Sequence, residues 1–486
     1  MYRFLLVIFT VGLVLYGQAG PAPRQESLKG IVPKNQAPVS NDVLRVRLPR
    51  GADRKLKNGL TVVVLENHRV PSVSLNLLLP ATTLDDPAGM PGVAEAVADM
   101  LKQGTASRNA KQIAESVAEL GATLNVNAQY GSRTTDLMAS SLVENLDAVL
   151  DIAADVLLRP TFPQEELDKW KARKLSALQQ ARTNPFFLAN ERLYKALYSG
   201  DARSINATSA DAVKRITRDD LVKFYKTYYR PGNALLGVTG DVTPDAITAK
   251  LDKYLGSWET GSAIEPKLPV NGPVAEKKVY LVNRPNSVQT MLVFTNLAID
   301  RTNPDYIACM VMNRVLGDGP SARLFRNIRE DKGYTYGAYS NFLAARYLNH
   351  FSASASVRTE VTAPAIDEFL KEFRAIRETA VPKEELDNAK RAIVANFALS
   401  LENQSGVLRQ VLTQRMYGLP ANYWDLYPEK VMAVNAAEVQ RVAQKYIPLN
   451  NVQLIAVGDS SKIAEALKKF GPVEEFDAEG KRLGTQ

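Results

Sequence analysis

Tyr229-Arg-Pro-Gly-Asn233, followed by the apolar run 234–238 and then Gly240-Asp241, decides the fold because the chain carries the pattern twice. Near the C-terminus the same order returns as Tyr446-Ile-Pro-Leu-Asn450, the apolar run 452–457 and Gly458-Asp459. Tyr446 follows Tyr229 by 217 residues, and Gly458 follows Gly240 by 218. A polar, Pro-containing punctuation ahead of an apolar run is a loop-to-strand signal, and it recurs in register. The openings agree as well. Val279-Tyr-Leu-Val-Asn283 with Met291-Leu-Val-Phe294 matches Val62-Val-Val-Leu-Glu-Asn67 with Val73-Ser-Leu75. Self-similarity at a fixed period means one structural unit used twice.

Inside the first copy, residues 60–65 are rich in β-branched side chains and residues 72–77 alternate polar and apolar, both strand patterns. Helical periodicity follows over 89–102, over 112–120 up to Gly121, over 143–158, and over 163–181 with Pro163 in the first turn. The expected fold is α+β: two tandem, structurally similar domains, each an antiparallel-rich sheet with helices, forming a clamp. The first spans residues 43–255 and the second 276–475, with a tail over 476–486. Residues 256–275 hold three Pro and three Gly, the composition of a linker.

The N-terminus reads as an export signal. Arg3 precedes an apolar run from Phe4 to Tyr16, broken only by Thr10 and Gly12, and small residues follow at Ala19-Gly20. Residues 1–20 are therefore expected to be a signal peptide and 21–42 a leader, which places the mature protein outside the inner membrane, in the periplasm. The apolar run is short for a bilayer span, so no stable membrane span is expected after cleavage. The formal charge of +8 is spread among alternating signs, as in Arg329-Glu330-Asp331-Lys332, so no nucleic-acid partner is expected. The single cysteine, Cys309, excludes an intrachain disulfide and sits in an apolar run, as a buried thiol would. Gly317-Asp-Gly-Pro320 lacks the Lys-Ser/Thr ending of a phosphate loop and reads as a turn.

Several ordered stretches are more specific: Gly104-Thr105, Leu120-Gly121-Ala122, Ser321-Ala-Arg323-Leu-Phe325 and Ile328-Arg-Glu-Asp-Lys-Gly-Tyr-Thr-Tyr336. With the repeat, they make residues 43–470 resemble the pitrilysin/insulinase-type (inverzincin) zinc peptidases. The resemblance implies an H-x-x-E-H segment on the first helix, because imidazoles at i and i+4 share one helical face and can bind one zinc ion. The glutamate between them serves as general base toward zinc-bound water. Here the first histidine position holds Glu95, the base position Ala98, the second histidine position Asp99, and the distal carboxylate position Ala177. The chain has two histidines, His68 and His350, in different halves, so no two-histidine helical site exists. No catalytic residue and no metal ligand is assigned.

Glu95 and Asp99 at i and i+4 repel unless paired. Two carboxylates fall well short of a calcium shell, so the expectation is solvation or pairing with nearby Lys or Arg. In split members of the family, a histidine-free subunit lends Arg and Tyr from its second half to the partner's cleft. The corresponding candidates are Tyr334, Tyr336, Arg346, Tyr347 and Arg358, each of which also suits plain packing. The resemblance thus implies a non-catalytic subunit of an extracytoplasmic heterodimeric zinc metallopeptidase acting on peptides. Zinc is expected only in a zinc-bearing paralogue as partner, with no cofactor in this chain. The alternative is a scaffold or binding protein on the same fold.

Overall fold

The structure is a computed structural model and describes residues 44–483. The expected signal peptide and leader lie outside the described residues. In chain order the first half contains β1 (Ala52–Lys55), β2 (Thr61–Glu66), β3 (Ser72–Leu79), α1 (Val93–Met100), α2 (Ala110–Glu119), β4 (Thr123–Ala128) and β5 (Thr135–Leu142). It continues with α3 (Leu146–Leu158), α4 (Gln164–Ala181), α5 (Pro185–Leu197), α6 (Ala210–Arg215), α7 (Arg218–Tyr228), β6 (Leu235–Gly240) and α8 (Pro244–Leu255). The second half repeats the order with β7 (Lys278–Asn283), β8 (Gln289–Leu297), α9 (Tyr306–Leu316), β9 (Thr335–Ala344) and β10 (Asn349–Arg358). Then come α10 (Thr362–Glu378), α11 (Lys383–Ser400), α12 (Gln404–Tyr417), α13 (Tyr427–Ala433), α14 (Ala436–Tyr446), β11 (Gln453–Gly458), α15 (Ser460–Leu467) and β12 (Val473–Phe476).

Two six-stranded sheets result, ordered β1-β2-β6-β3-β5-β4 and β12-β7-β11-β8-β10-β9. β6 runs parallel to β2 and antiparallel to β3, and β11 repeats this between β7 and β8. The repeated apolar runs of the sequence are thus the equivalent central strands of the two sheets. β11 is buried along its whole length, which accounts for its apolar run from Leu454 onward, while the amide of the buried Gln453 donates to the Glu276 and Asn451 carbonyls. The fold is mixed α+β in two similar tandem units.

Each sheet borrows a helix from the other half. Leu188, Leu193 and Leu197 of α5 pack with Val282, Val293 and Ile455 of the second sheet. Leu408, Val411 and Leu412 of α12 pack in the same core as Val63, Leu65 and Leu78 of the first sheet. The two helices are equivalents, and both are capped by asparagine: Asn184 accepts from the Phe186 amide (2.9 Å) and Asn403 from the Gly406 amide (2.7 Å). Gly237 on β6 is where α12 crosses, since a Cβ there would stand 2.8 Å from Leu408. Burying such leucines is worth roughly 1.5–3 kcal/mol each, so the exchange ties the halves together.

The helix predicted over 89–102 is shorter, Val93–Met100. Gly92 adopts the left-handed region (φ 107°), and a Cβ there would meet the Thr208 hydroxyl at 2.8 Å, so the helix starts behind it. Residues 259–275 form neither helix nor strand. They are nonetheless tied down: Arg203 donates to the Pro269 carbonyl at 2.7 Å, and Asn296 exchanges bonds with Val274. Cys309 is fully buried, and burial pushes its thiol pKa up.

Candidate functional site

α1 lies against α4, α7 and the outer strand β4. Its N-terminus is capped from a distance by Asp86, whose carboxylate accepts from the Gly92 amide (2.6 Å) and the Ala94 amide (2.7 Å). Burial pushes the Asp86 carboxyl up to about 7, against those bonds, and the Glu95 and Asp85 charges add to the rise. Glu95 follows on the next residues of α1. Its carboxylate takes the Lys174 ammonium of α4, while its second oxygen is buried with no donor among the described residues. Burial is the main reason the Glu95 carboxyl is raised, and Lys174 pulls the other way. The Tyr130 hydroxyl, just beyond β4, is also buried without a partner among the described residues, and burial raises it.

One turn further along α1, Asp99 is exposed and accepts from the Trp170 indole at 2.8 Å. Ala98 is fully buried. Ala177 is exposed on α4, one turn beyond Lys174. Glu95, Asp99 and α4 therefore do come together, at the positions to which the resemblance assigns zinc ligands. The donor set does not fit that metal. One carboxylate is held by an ammonium, the other by an indole N–H, and Ala177 offers no ligand atom. No three His, Cys, Asp or Glu side chains converge on a common point among the described residues. His68 sits after β2 between Asp241 (2.5 Å) and Glu66 (2.7 Å), and His350 is buried on β10 edge-on to Tyr194 at 5.7 Å.

The five second-half candidates fall into two groups. Tyr334, Tyr336 and Arg358 stand where β9 starts and β10 ends. Tyr334 is partly buried against the core, Tyr336 is 90% exposed, and Arg358 donates to Glu360 and to the Gly333 carbonyl, both at 2.8 Å. Arg346 and Tyr347 sit at the turn joining β9 to β10, with Arg346 paired to Glu265 at 2.8 Å and stacked on Tyr347 at 5.5 Å. The ten residues of β9 separate the groups by about 33 Å.

Asp86, Tyr130, Trp170 and Lys174 escape a reading of the sequence. Only Lys174 leaves a trace there, as the cation one turn before Ala177 on a predicted helix.

Comparison with known proteins bears on the family. The model described as Insulinase (Peptidase family M16) matches residues 61–209, and that described as Peptidase M16 inactive domain matches residues 215–393. An uncharacterized zinc protease of Rickettsia bellii is 26% identical over 403 residues, covering 80% of this chain and 93% of that protein. The non-peptidase homolog YmxG of Helicobacter pylori is 24% identical, covering 82% of this chain and 92% of its own. The crystal structure of a peptidase M16 inactive domain from Pseudomonas fluorescens shares 25% identity with a TM-score of 0.79, over 84% of this chain and 98% of that one. With models of this one family matching residues 61–209 and 215–393, the chain belongs to the insulinase family, peptidase family M16, as a peptidase-like, non-catalytic member.

Proposed function

We propose that the chain is the non-catalytic subunit of an extracytoplasmic heterodimeric zinc metallopeptidase and completes the peptide cleft of an H-x-x-E-H paralogue. The observation that carries this reading is the contrast between the halves. The α1–α4 helix pair keeps the family's framework while Lys174 occupies Glu95, and the second half retains a full sheet with Tyr336 projecting from its outer strand. An outer strand offers unpaired backbone groups to an extended peptide, and exposed phenol and guanidinium groups are suited to carbonyls and oxyanions. Zinc would reside in the partner alone. Export rests on the Phe4–Tyr16 run and its flanks. The test is peptide turnover by the H-x-x-E-H paralogue with and without this chain.

One observation favours the scaffold reading. Arg346 and Arg358 are both engaged internally, with Glu265 and Glu360, and substrate would have to compete for them. These pairs are half exposed, where exchange costs little, about 0–1 kcal/mol. The subunit reading therefore stands ahead.

A further inference from the structure

Where β2 starts and β3 ends, the first sheet meets the β9–β10 turn and the last turn of α12 around a cavity of about 360 Å³. The two hairpin turns touch here, since a Cβ on Gly131 would stand 2.6 Å from Leu348. The charged lining comes from four segments: Arg133 between β4 and β5, Arg346 between β9 and β10, Arg415 on α12, and Glu265 on the connecting segment.

The charges do not balance. Glu265 pairs with Arg346 at 2.8 Å. Arg415 is held by Asp53 at 3.0 Å, and its Nε is buried with no acceptor among the described residues. Arg133 has no carboxylate partner among the described residues. Its guanidinium donates to the Met416 carbonyl and lies 5.1 Å over the Tyr417 ring. Burial, reinforced by the Arg346 charge, pulls the Arg133 pKa down, yet a guanidinium stays charged in proteins. A half-buried cation facing a second cation is stabilised by an anion, and planar guanidinium forks match carboxylates in two-bond geometry. The phenol of Tyr347 adds a donor, the Thr134 hydroxyl is committed to the Asp136 carboxylate at 2.6 Å, and Leu78 and Met416 supply an apolar wall. The volume lies at the low end of ligand pockets, about 300–1,000 Å³, so it suits the end of a peptide rather than its length.

We propose that this cavity is a carboxylate-recognition site that takes a peptide carboxylate between Arg133 and Arg346, from the chain terminus or from an acidic side chain. The peptide class rests on the reading given under Proposed function. The site itself belongs to this chain alone.

Calorimetric titration of the full mature chain with an N-acetylated alanine–leucine pentapeptide tests it, with the C-terminal acid compared against its amide. The acid should bind about tenfold or more tightly than the amide, and less tightly in high salt. An amide ending in a glutamate separates the two sources. If it binds like the acid, a side-chain carboxylate suffices, and if it binds like the plain amide, the site reads chain termini. Arg133→Gln and, as a second variant at an exposed turn, Arg346→Gln should each weaken the acid about tenfold with the melting temperature held. Equal affinity for acid and amide, binding of neither, or full affinity in both variants overturns the proposal. No partner protein is added, so such a result leaves activation of a paralogue to its own test.

Discussion

Lys174 on α4 reaches across to Glu95 on α1, so the two helices to which the resemblance assigns the metal ligands are bridged by an ion pair. Both side chains are about one-fifth exposed, 22% for Lys174 and 20% for Glu95. Removing one member strands a mostly buried charge. Lys174→Ala should therefore cost about 3 kcal/mol, the low end for a broken buried pair, while the double change Glu95→Leu with Lys174→Met should restore most of it. Urea melts of the three proteins check this. Equal stability of Lys174→Ala and wild type would show that the pair holds nothing.

The same pair bears on metal. An ammonium seated on the only carboxylate that faces inward from α1, with an indole on Asp99, leaves no site for tight zinc. Metal analysis of the purified chain after zinc exposure and dialysis should find no stoichiometric zinc. One zinc per chain, lost on Glu95→Ala, is the contrary result.

Asp86 makes stability depend on pH. Its folded carboxyl is pushed up to about 7 from 3.8, so between those values the folded state holds the extra proton. Stability from this group is therefore highest in acid and falls as pH rises, the loss being complete above about 7. Asp85, raised to about 6 by burial, has the same sign. His350, buried and depressed to about 4, has the opposite sign, losing stability as pH falls from its unfolded value toward about 4. The informative quantity is thus the difference between wild type and Asp86→Asn. Wild type should gain on the variant by on the order of 2 kcal/mol as pH falls from about 8 to about 5.5. A constant difference across that range contradicts the assignment.

How much of this is legible in the sequence follows from what is local. The Tyr229 and Tyr446 segments, with their apolar runs, suffice for two equivalent sheets because strands are written as continuous stretches. The exchange of α5 and α12 is not legible. Apolar spacing in residues 185–197 says that a helix face is buried, and nothing in it says against which sheet. Glu95 and Asp99 at one helical face announce a need for partners, but Lys174 lies 79 residues from Glu95 and only the α1–α4 packing selects it. Arg133 gives no signal at all, since its meaning comes from Arg346, which the fold brings to it across the two halves. Gly92 is a smaller case: a helical pattern runs through it, and the start of α1 is set instead by the contact with Thr208.

Single changes in the second half separate substrate contact from packing. In a reconstituted pair, Tyr336→Phe and Tyr347→Phe remove only hydroxyls, and Arg346→Ala and Arg358→Ala remove half-exposed guanidiniums. Loss of a group that steadies the oxyanion should lower turnover by about 10²–10³ with assembly and melting temperature unchanged. Tyr336 is the first choice, being 90% exposed on an outer strand with no packing role to lose. If none of the four alters turnover, the second half contributes shape alone and the scaffold reading takes over.

The most direct measurement is peptide turnover by an H-x-x-E-H paralogue, exported by the same cell, titrated with this chain. The subunit role predicts that the paralogue alone is nearly inactive, that activity saturates at a one-to-one ratio, and that this chain alone cleaves nothing at any zinc concentration. A paralogue equally active without this chain, or a purified chain that cleaves peptide by itself, would contradict it.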